Sequence, residues 1–134
     1  MLDLSKNDPA TLAEAGYEFT VTLPDGTETD AKIKVRGKHS PEVKAFGKRI
    51  YNELKMKEQA AKRRGKEEDM SLEEAEELSV RSAVVRVMGW SNIAENGKEI
   101  EFSKEEATRI LTKYPFIREQ VMEESDGILN FRPD

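Results

Sequence analysis

The sequence predicts an α+β fold that is mostly helical, with an N-terminal β-hairpin packed on about four helices. Two patterns support this prediction: strict alternation of apolar and polar residues near the N-terminus, and apolar residues at helical spacing over much of the remainder. Serine capping signals stand before three of the helical segments. A chain of 134 residues is long enough for one modest core, so we expect residues 1–134 to form a single domain.

The hairpin is predicted over residues 17–36. Its alternating apolar positions are Tyr17, Phe19, Val21 and Leu23, followed by Ala31, Ile33 and Val35. Between the two runs, Pro24-Asp25-Gly26 has the composition of a turn. Such a hairpin is not stable alone in water, so its apolar face must pack on the helices that follow. Ahead of the hairpin, Asp8 and Gly16 are placed to begin and end one or two turns of helix.

The longest predicted helix covers residues 41–64. Ser40 and Pro41 provide an N-cap and a first-turn proline, and Gly65 ends the helix. The apolar residues recur at steps of three, four, four and seven, and they are Val43, Phe46, Ile50, Leu54 and Ala61. One face of this helix is therefore expected to pack on the rest of the protein.

A second long helix is predicted over residues 71–88. Ser71 and Glu74 form a capping box, and Val80–Met88 is apolar on most sides. We therefore expect this helix to be the most buried one and to end at Gly89. Trp90 is then expected in a loop.

The last third of the chain predicts two shorter helices, over residues 104–114 and 115–125. An Asn-Gly turn and a short extended segment, Glu99–Phe102, precede them. The first of the two helices opens with a capping box at Ser103, and the second begins at Pro115. The segment after Gly127 is expected to be a loosely held tail.

Charge is strongly polarised along the chain. From Lys32 to Lys66 there are thirteen Lys or Arg residues against three Glu, a local balance of +10, although the whole chain carries −5. The next eleven residues, Glu67–Glu77, hold seven acidic side chains and no basic one. Three interpretations of the basic block stay open. It is a solvated face partly paired with the acidic run, a protein-binding surface, or a surface for nucleic acid or an anionic membrane.

Few residues are suited to catalysis. The chain has no cysteine, one histidine (His39) in a predicted loop, and eight glycines that lie singly, so neither a metal site nor a phosphate-binding loop is indicated. Glu119 and Glu123 are four residues apart on one predicted helix, and we interpret their carboxylates as part of a solvated face rather than as an acid–base pair. No apolar stretch is long enough to span a bilayer, and no secretory signal is expected. We therefore expect no enzyme activity, no catalytic residues, no metal, no cofactor and no membrane association.

Candidate partner-binding residues come from three places. The first long helix and its end supply Lys48, Lys55, Lys62, Arg63 and Arg64, and the start of the next helix supplies Glu73, Glu74 and Glu77. The aromatic candidates are Trp90, Tyr114 and Phe116. Trp90 is either a plug between helices or an anchor at an interface. Tyr114 and Phe116 are either part of the core or an exposed aromatic edge.

Residues 84–121 combine several of these features in one order. They contain Gly89-Trp90, the Asn96-Gly97 turn, Glu101-Phe102-Ser103, Pro115 and Ile117-Arg118. This order resembles the tail assembly chaperones of long-tailed, non-contractile bacteriophages of the lambdoid type. The hairpin and the first long helix are similar to that family more loosely.

The resemblance implies a non-enzymatic assembly factor that acts in the cytoplasm of the infected bacterium and is absent from the finished virion. The implied partners are the tape measure protein, which the factor binds and keeps soluble, and the tail tube subunits that it helps to recruit. A longer frameshifted form of the same chain and further copies of the chain are also implied, and this chain resembles the short form. The resemblance supplies no residue-level site.

The charge pattern adds a hypothesis about assembly. Complementary patches suit head-to-tail or ring-like association, in which the basic first helix of one copy meets the acidic start of the second helix in another. Apolar surface near Trp90 and the last two helices is expected to hold the tape measure protein. The alternative functions are a small structural or connector protein of the virion and a nucleic-acid-binding module with a basic patch. We expect protein partners rather than nucleic acid.

Overall fold

The computed structural model describes residues 1–66 and 70–133. Within these ranges the helices are α1 (Pro9–Ala15), α2 (Pro41–Arg63), α3 (Leu72–Val84), α4 (Lys104–Lys113) and α5 (Pro115–Asp126). The strands are β1 (Tyr17–Thr22), β2 (Glu28–Val35), β3 (Val87–Ser91), β4 (Ala94–Glu95) and β5 (Lys98–Glu99). The predicted α+β fold, mostly helical with an N-terminal hairpin, is confirmed. The first part of the predicted acidic run, residues 67–69, lies outside the described residues.

The strands β1, β2 and β3 form an antiparallel sheet in that order, so β2 lies in the centre. Phe19 of β1 is opposite Ile33 of β2, which in turn is opposite Trp90 of β3. Because side chains alternate across a strand, this register places their apolar side chains on one face. At the outer edge of the sheet, the side chain of Gln120 in α5 pairs with both the backbone N–H and the carbonyl of Thr22, at 2.9 and 2.8 Å.

The core lies between this apolar face and the helices α3, α4 and α5. It consists of buried residues from the sheet, from those helices and from the loop after β3, namely Phe19, Val21, Ala31, Ile33, Val35, Val80, Ala83, Val87, Ile93, Ile110, Leu111, Ile117 and Val121. Within the described part of the chain, α2 supplies none of the side chains in this cluster. The longest helix therefore lies outside the main core.

The prediction of a helix over residues 71–88 is wrong at its C-terminal end. Helix α3 ends at Val84, and Val87–Ser91 forms the third strand, so Trp90 lies in a strand rather than in a loop. A short apolar run does not by itself distinguish a buried helix from a buried strand. Here the open edge of β2 favours a strand. Pairing with β3 satisfies the backbone hydrogen-bonding groups of β2 and buries Val87 beside Val35.

Helix α2 begins where the sequence predicts and ends one residue early. Ser40 is fully buried, accepts a hydrogen bond from the N–H of Glu42, and donates one to the carboxylate of Glu14 in α1 at 2.8 Å. The C-terminus closes with Gly65 at a φ of +68° and with backbone hydrogen bonds back to the last turn. The expected packing face is only partly realised, since Phe46 and Ala61 are the buried residues of this helix.

A polar junction ties the end of β2 to the end of α5. The buried hydroxyl of Ser125 donates to the carbonyl of Arg36 at 2.6 Å and accepts from the guanidinium of Arg86 at 3.1 Å. Arg36 in turn donates to the carbonyl of Val85, and the N–H of Lys38 donates to the carbonyl of Ser125. Most polar groups that are withdrawn from water are hydrogen-bonded, and these bonds fix the relative position of the sheet and α5. No helix in the described ranges is both long and apolar enough to cross a bilayer.

The substitution Ser125→Ala tests this junction. It removes two hydrogen bonds and leaves the carbonyl of Arg36 without the hydroxyl, so we expect the free energy of unfolding to fall by about 1–3 kcal/mol. Urea denaturation followed by circular dichroism measures this loss. The control is Ser91→Ala at an exposed position at the end of β3, where the change should stay within about 0.5 kcal/mol. Equal effects of the two substitutions would contradict the assignment.

Candidate functional site

One side of helix α2 forms an exposed basic surface, which we call the lysine face. It consists of Lys44, Lys48, Tyr51, Lys55 and Lys62, whose spacing places them along one stripe of the helix. From Lys44 to Lys62 the stripe is about 27 Å long at the rise of an α-helix. The ammonium group of Lys55 lies 6.0 Å from the centre of the Tyr51 ring, so an aromatic ring stands among the positive charges.

Two of the predicted partner-binding residues lie beyond the lysine face, at the C-terminal end of α2. Arg63 is the last residue of the helix and Arg64 is its C-cap, and both are exposed. Lys62 forms an ion pair with Glu58, one turn earlier, at 3.4 Å. The basic end of α2 is therefore open to solvent, and its positive charge is favourable next to the carbonyl end of the helix.

The opposite side of α2 faces α3 through ion pairs rather than through a packed apolar seam. Lys57 is 2.9 Å from Glu74, and Arg81 is 3.3 Å from Glu53, all four side chains being substantially exposed. The guanidinium of Arg81 also lies over the ring of Phe46 at 5.7 Å. Exposed ion pairs each contribute little to stability. Thus part of the acidic segment pairs with α2 within the chain, in line with one of the three interpretations of the basic block.

Between these two helices lies an open groove of about 260 Å³. Four apolar side chains line it, Ile50, Leu54, Met70 and Leu78, together with the charged residues of the ion pairs and Glu77. Leu54 and Met70 keep 41% and 42% of their surface exposed. The groove therefore combines incompletely buried apolar side chains with charges of both signs.

The start of α3 forms a second exposed surface, which we call the acidic end of α3. It consists of Leu72, Glu73, Glu76 and Glu77. Leu72 is 91% exposed. Within the described parts of the chain, neither Glu73 nor Glu77 has an ion pair, whereas Glu76 lies 3.9 Å from Arg118. Two negative charges and one large apolar side chain are therefore available at this end.

Trp90 is half-buried and has contacts that explain its presence structurally. Its indole N–H donates to the carbonyl of Ile100 at 2.8 Å, and its ring meets that of Phe102 edge-on at 5.1 Å. Both aromatic rings pack against the main core. These contacts support the interpretation of Trp90 as a plug, although it seals the third strand rather than a helix end.

Tyr114 and Phe116 are also half-buried against the core, with their rings 6.4 Å apart. The hydroxyl of Tyr114 donates to the carboxylate of Glu95 at 2.6 Å. Glu95 belongs to the small β4–β5 hairpin, whose two-residue turn, Asn96-Gly97, has positive φ at both positions. The predicted Asn-Gly turn is confirmed, and Tyr114 connects it to α4 and α5.

Glu95 is the acidic centre of this contact. The hydrogen bond from Tyr114, followed by those from Arg109 and Lys113, lowers the pKa of Glu95 from 4.5 to about 2. The shortest distances from Glu95 to the two basic groups are 2.7 and 3.1 Å. Sequence reasoning missed this network, because only the tertiary fold brings Glu95 of the small hairpin to the basic side chains and Tyr114 at the end of α4.

His39 is exposed, as expected for a lone loop histidine. Among the described residues, no three His, Cys, Asp or Glu side chains are arranged to hold a metal ion. Of the predicted partner-binding residues, the charged ones lie on α2 and at the start of α3. The three aromatic ones, Trp90, Tyr114 and Phe116, pack against the core instead.

The family model of the YdaY prophage protein matches residues 41–134, from the start of α2 onward. The chain belongs to the YdaY prophage protein family. Its bacteriophage origin is thereby confirmed, and the match extends over α2, α3 and the groove between them but leaves out the N-terminal hairpin. Comparison with curated proteins and with solved structures found no match.

The substitution Glu95→Gln tests the Glu95 network through its pH dependence. Because the folded state lowers the pKa of this carboxyl, ionised Glu95 stabilises the fold at pH values above about 4.5. That contribution is lost as the pH falls towards about 2. We therefore expect Glu95→Gln to be less stable than the wild type at neutral pH, with the difference shrinking in acid. Urea denaturation at a series of pH values measures it.

The control for this experiment is Glu99→Gln, which removes one negative charge from the same hairpin without touching Tyr114. Glu99 is exposed. If Glu95→Gln lowered stability by the same amount at every pH, or no more than Glu99→Gln did, the role assigned to Glu95 would be wrong.

Proposed function

We propose that this member of the YdaY prophage protein family is a non-enzymatic assembly factor for a phage tail. In this proposal it binds the tape measure protein in the infected cell, keeps it soluble, helps to recruit tail tube subunits, and is left out of the mature virion. Support comes from the prophage family match and from the resemblance of residues 84–121 to tail assembly chaperones.

The observation that carries the proposal is the position of α2. A helix of 23 residues contributes nothing to the main core in the described part of the chain, yet it presents apolar and charged side chains along a groove with α3. A groove of this kind suits an amphipathic helix, which places its apolar residues between the two helices and its charges on the rim. The tape measure protein is a long helical client, so it offers such segments repeatedly.

The composition of the groove also suits reversible binding. Its floor is small and its rim is charged, so the affinity of one site for one client segment is expected to be modest. Several copies along one client raise the overall affinity, because the second and later contacts are intramolecular. A chaperone that must later give way to tail tube subunits needs contacts of this strength.

The client site proposed here differs from the one expected from sequence. Trp90 is a candidate contact in the sequence prediction, but its ring and indole N–H are engaged within the chain. The groove between α2 and α3 keeps apolar surface exposed, with no comparable internal partner among the residues that the structure describes. We therefore assign the client to the groove.

The proposal is tested with Leu54→Glu in the groove, in cells that produce the cognate tape measure protein. We expect the wild type to keep the client in the soluble fraction and to co-purify with it, and Leu54→Glu to lose both properties. Leu23→Glu is a matched control, because Leu23 is 42% exposed and Leu54 is 41% exposed, while Leu23 lies beside the β1–β2 turn. Circular dichroism establishes that both variants fold.

Two outcomes would reject the proposal. A wild-type protein that leaves the client insoluble and does not co-purify with it is not its chaperone. Recovery of the chain in stoichiometric amounts from purified virions, measured by mass spectrometry, would instead identify it as a structural component of the particle.

A further inference from the structure

Gly47 lies in the middle of α2, where a glycine destabilises a helix relative to alanine. The packing of the described residues does not require it, because a Cβ at this position meets no atom within 4 Å apart from the neighbouring backbone of its own helix. The backbone there is helical, so no unusual dihedral angle calls for glycine either. The missing side chain leaves a shallow depression on the surface of α2, bordered by Lys44, Lys48 and Tyr51.

The depression lies within the lysine face. Lys44 and Lys48 border it and Lys55 lies one helical turn beyond Tyr51, and none of the three forms an ion pair with a carboxylate in the described part of the chain. Their mutual repulsion makes a negatively charged partner favourable. The ring of Tyr51 gives the same surface an apolar component.

The acidic end of α3 has the complementary properties. Leu72 is almost fully exposed, and Glu73 and Glu77 are exposed carboxylates without an ion pair in the described ranges. In the same molecule, however, α3 reaches the other side of α2, where Glu74 meets Lys57. Lys57 and Lys48 are nine residues apart, which places them on opposite sides of the helix. The acidic end of α3 is therefore directed away from the lysine face of its own chain.

We propose that the acidic end of α3 in one copy docks on the lysine face of α2 in a second copy. Leu72 enters the depression over Gly47 beside the Tyr51 ring, and Glu73 and Glu77 face Lys48 and Lys55. The two surfaces are different, so the contact is head-to-tail and each copy keeps one of each surface for a further neighbour. The contact concerns the purified chain alone and does not depend on which client the groove binds.

The first test is the mass of the purified protein, measured by light scattering and sedimentation over a range of protein and salt concentrations. We expect a mass above that of the monomer at low salt, which rises with protein concentration and falls as salt is added. A protein that stays monomeric at low salt and high concentration would overturn the proposal. Retention on heparin by a monomer would assign the lysine face to nucleic acid instead.

The substitution Leu72→Ser distinguishes this contact from non-specific association through exposed apolar residues. It removes the side chain that enters the depression, and we expect the dissociation constant for self-association to rise by about tenfold or more. Met56→Ser is the matched control, because Met56 is also a largely exposed apolar residue but lies on another side of α2. Equal effects of the two substitutions on self-association would contradict the proposed contact.

The substitution Gly47→Ala distinguishes a role in self-association from a purely structural role of this residue. Alanine favours the helix, and its methyl group meets no other element of the described structure, so the thermal midpoint should rise or stay unchanged. It fills the depression, so the same variant should associate more weakly than the wild type. Unchanged association, or a fall in the thermal midpoint, would count against the role of Gly47.

Exchange of charges tests the pairing of the two surfaces. Lys48→Glu and Glu73→Lys each place like charges opposite one another and should weaken association. The double variant restores opposite charges between copies, so it should associate more strongly than either single variant. If the loss of association free energy in the double variant equalled the sum of the losses in the two single variants, these residues would not face each other.

Discussion

The structure depends on one constraint, the need to bury the single apolar face of a three-stranded sheet. Helices α3, α4 and α5 pack against that face, and the polar junction at Ser125 fixes α5 against the end of the central strand. Among the described residues, α2 supplies no side chain to the core that packs on this face. The helix is held by its capped N-terminus at Ser40, by the ring of Phe46 and by ion pairs to α3.

This arrangement explains why α2 and the start of α3 carry many exposed charged and apolar side chains. Side chains that pack a core must be apolar and complementary in shape, whereas a helix outside the core keeps lysines on one side and ion pairs on the other. The groove and the lysine face lie on different sides of α2, whereas Glu77 belongs both to the groove and to the acidic end of α3. The family match begins at the first residue of this helix.

Much of the fold could be predicted from the sequence, because its local signals agree with the tertiary structure. The hairpin, the capped helix starts and the Asn-Gly turn were all visible as patterns. The third strand was not, because Val87 and its neighbours fit a buried helix equally well until the open edge of β2 is known. The basic stripe was also predictable, whereas the exposure of Leu72, the depression at Gly47 and the network around Glu95 depend on which surfaces the core leaves uncovered.

The most direct test of this account is hydrogen exchange of the monomeric protein, observed at low protein concentration and high salt. Because α2 lies outside the core and is attached by exposed ion pairs, the amides of residues 51–63 should exchange many-fold faster than those of the central strand, residues 28–35. Equal protection of the two segments would mean that α2 unfolds together with the core. That result would contradict the central claim that this helix is available as an interaction surface.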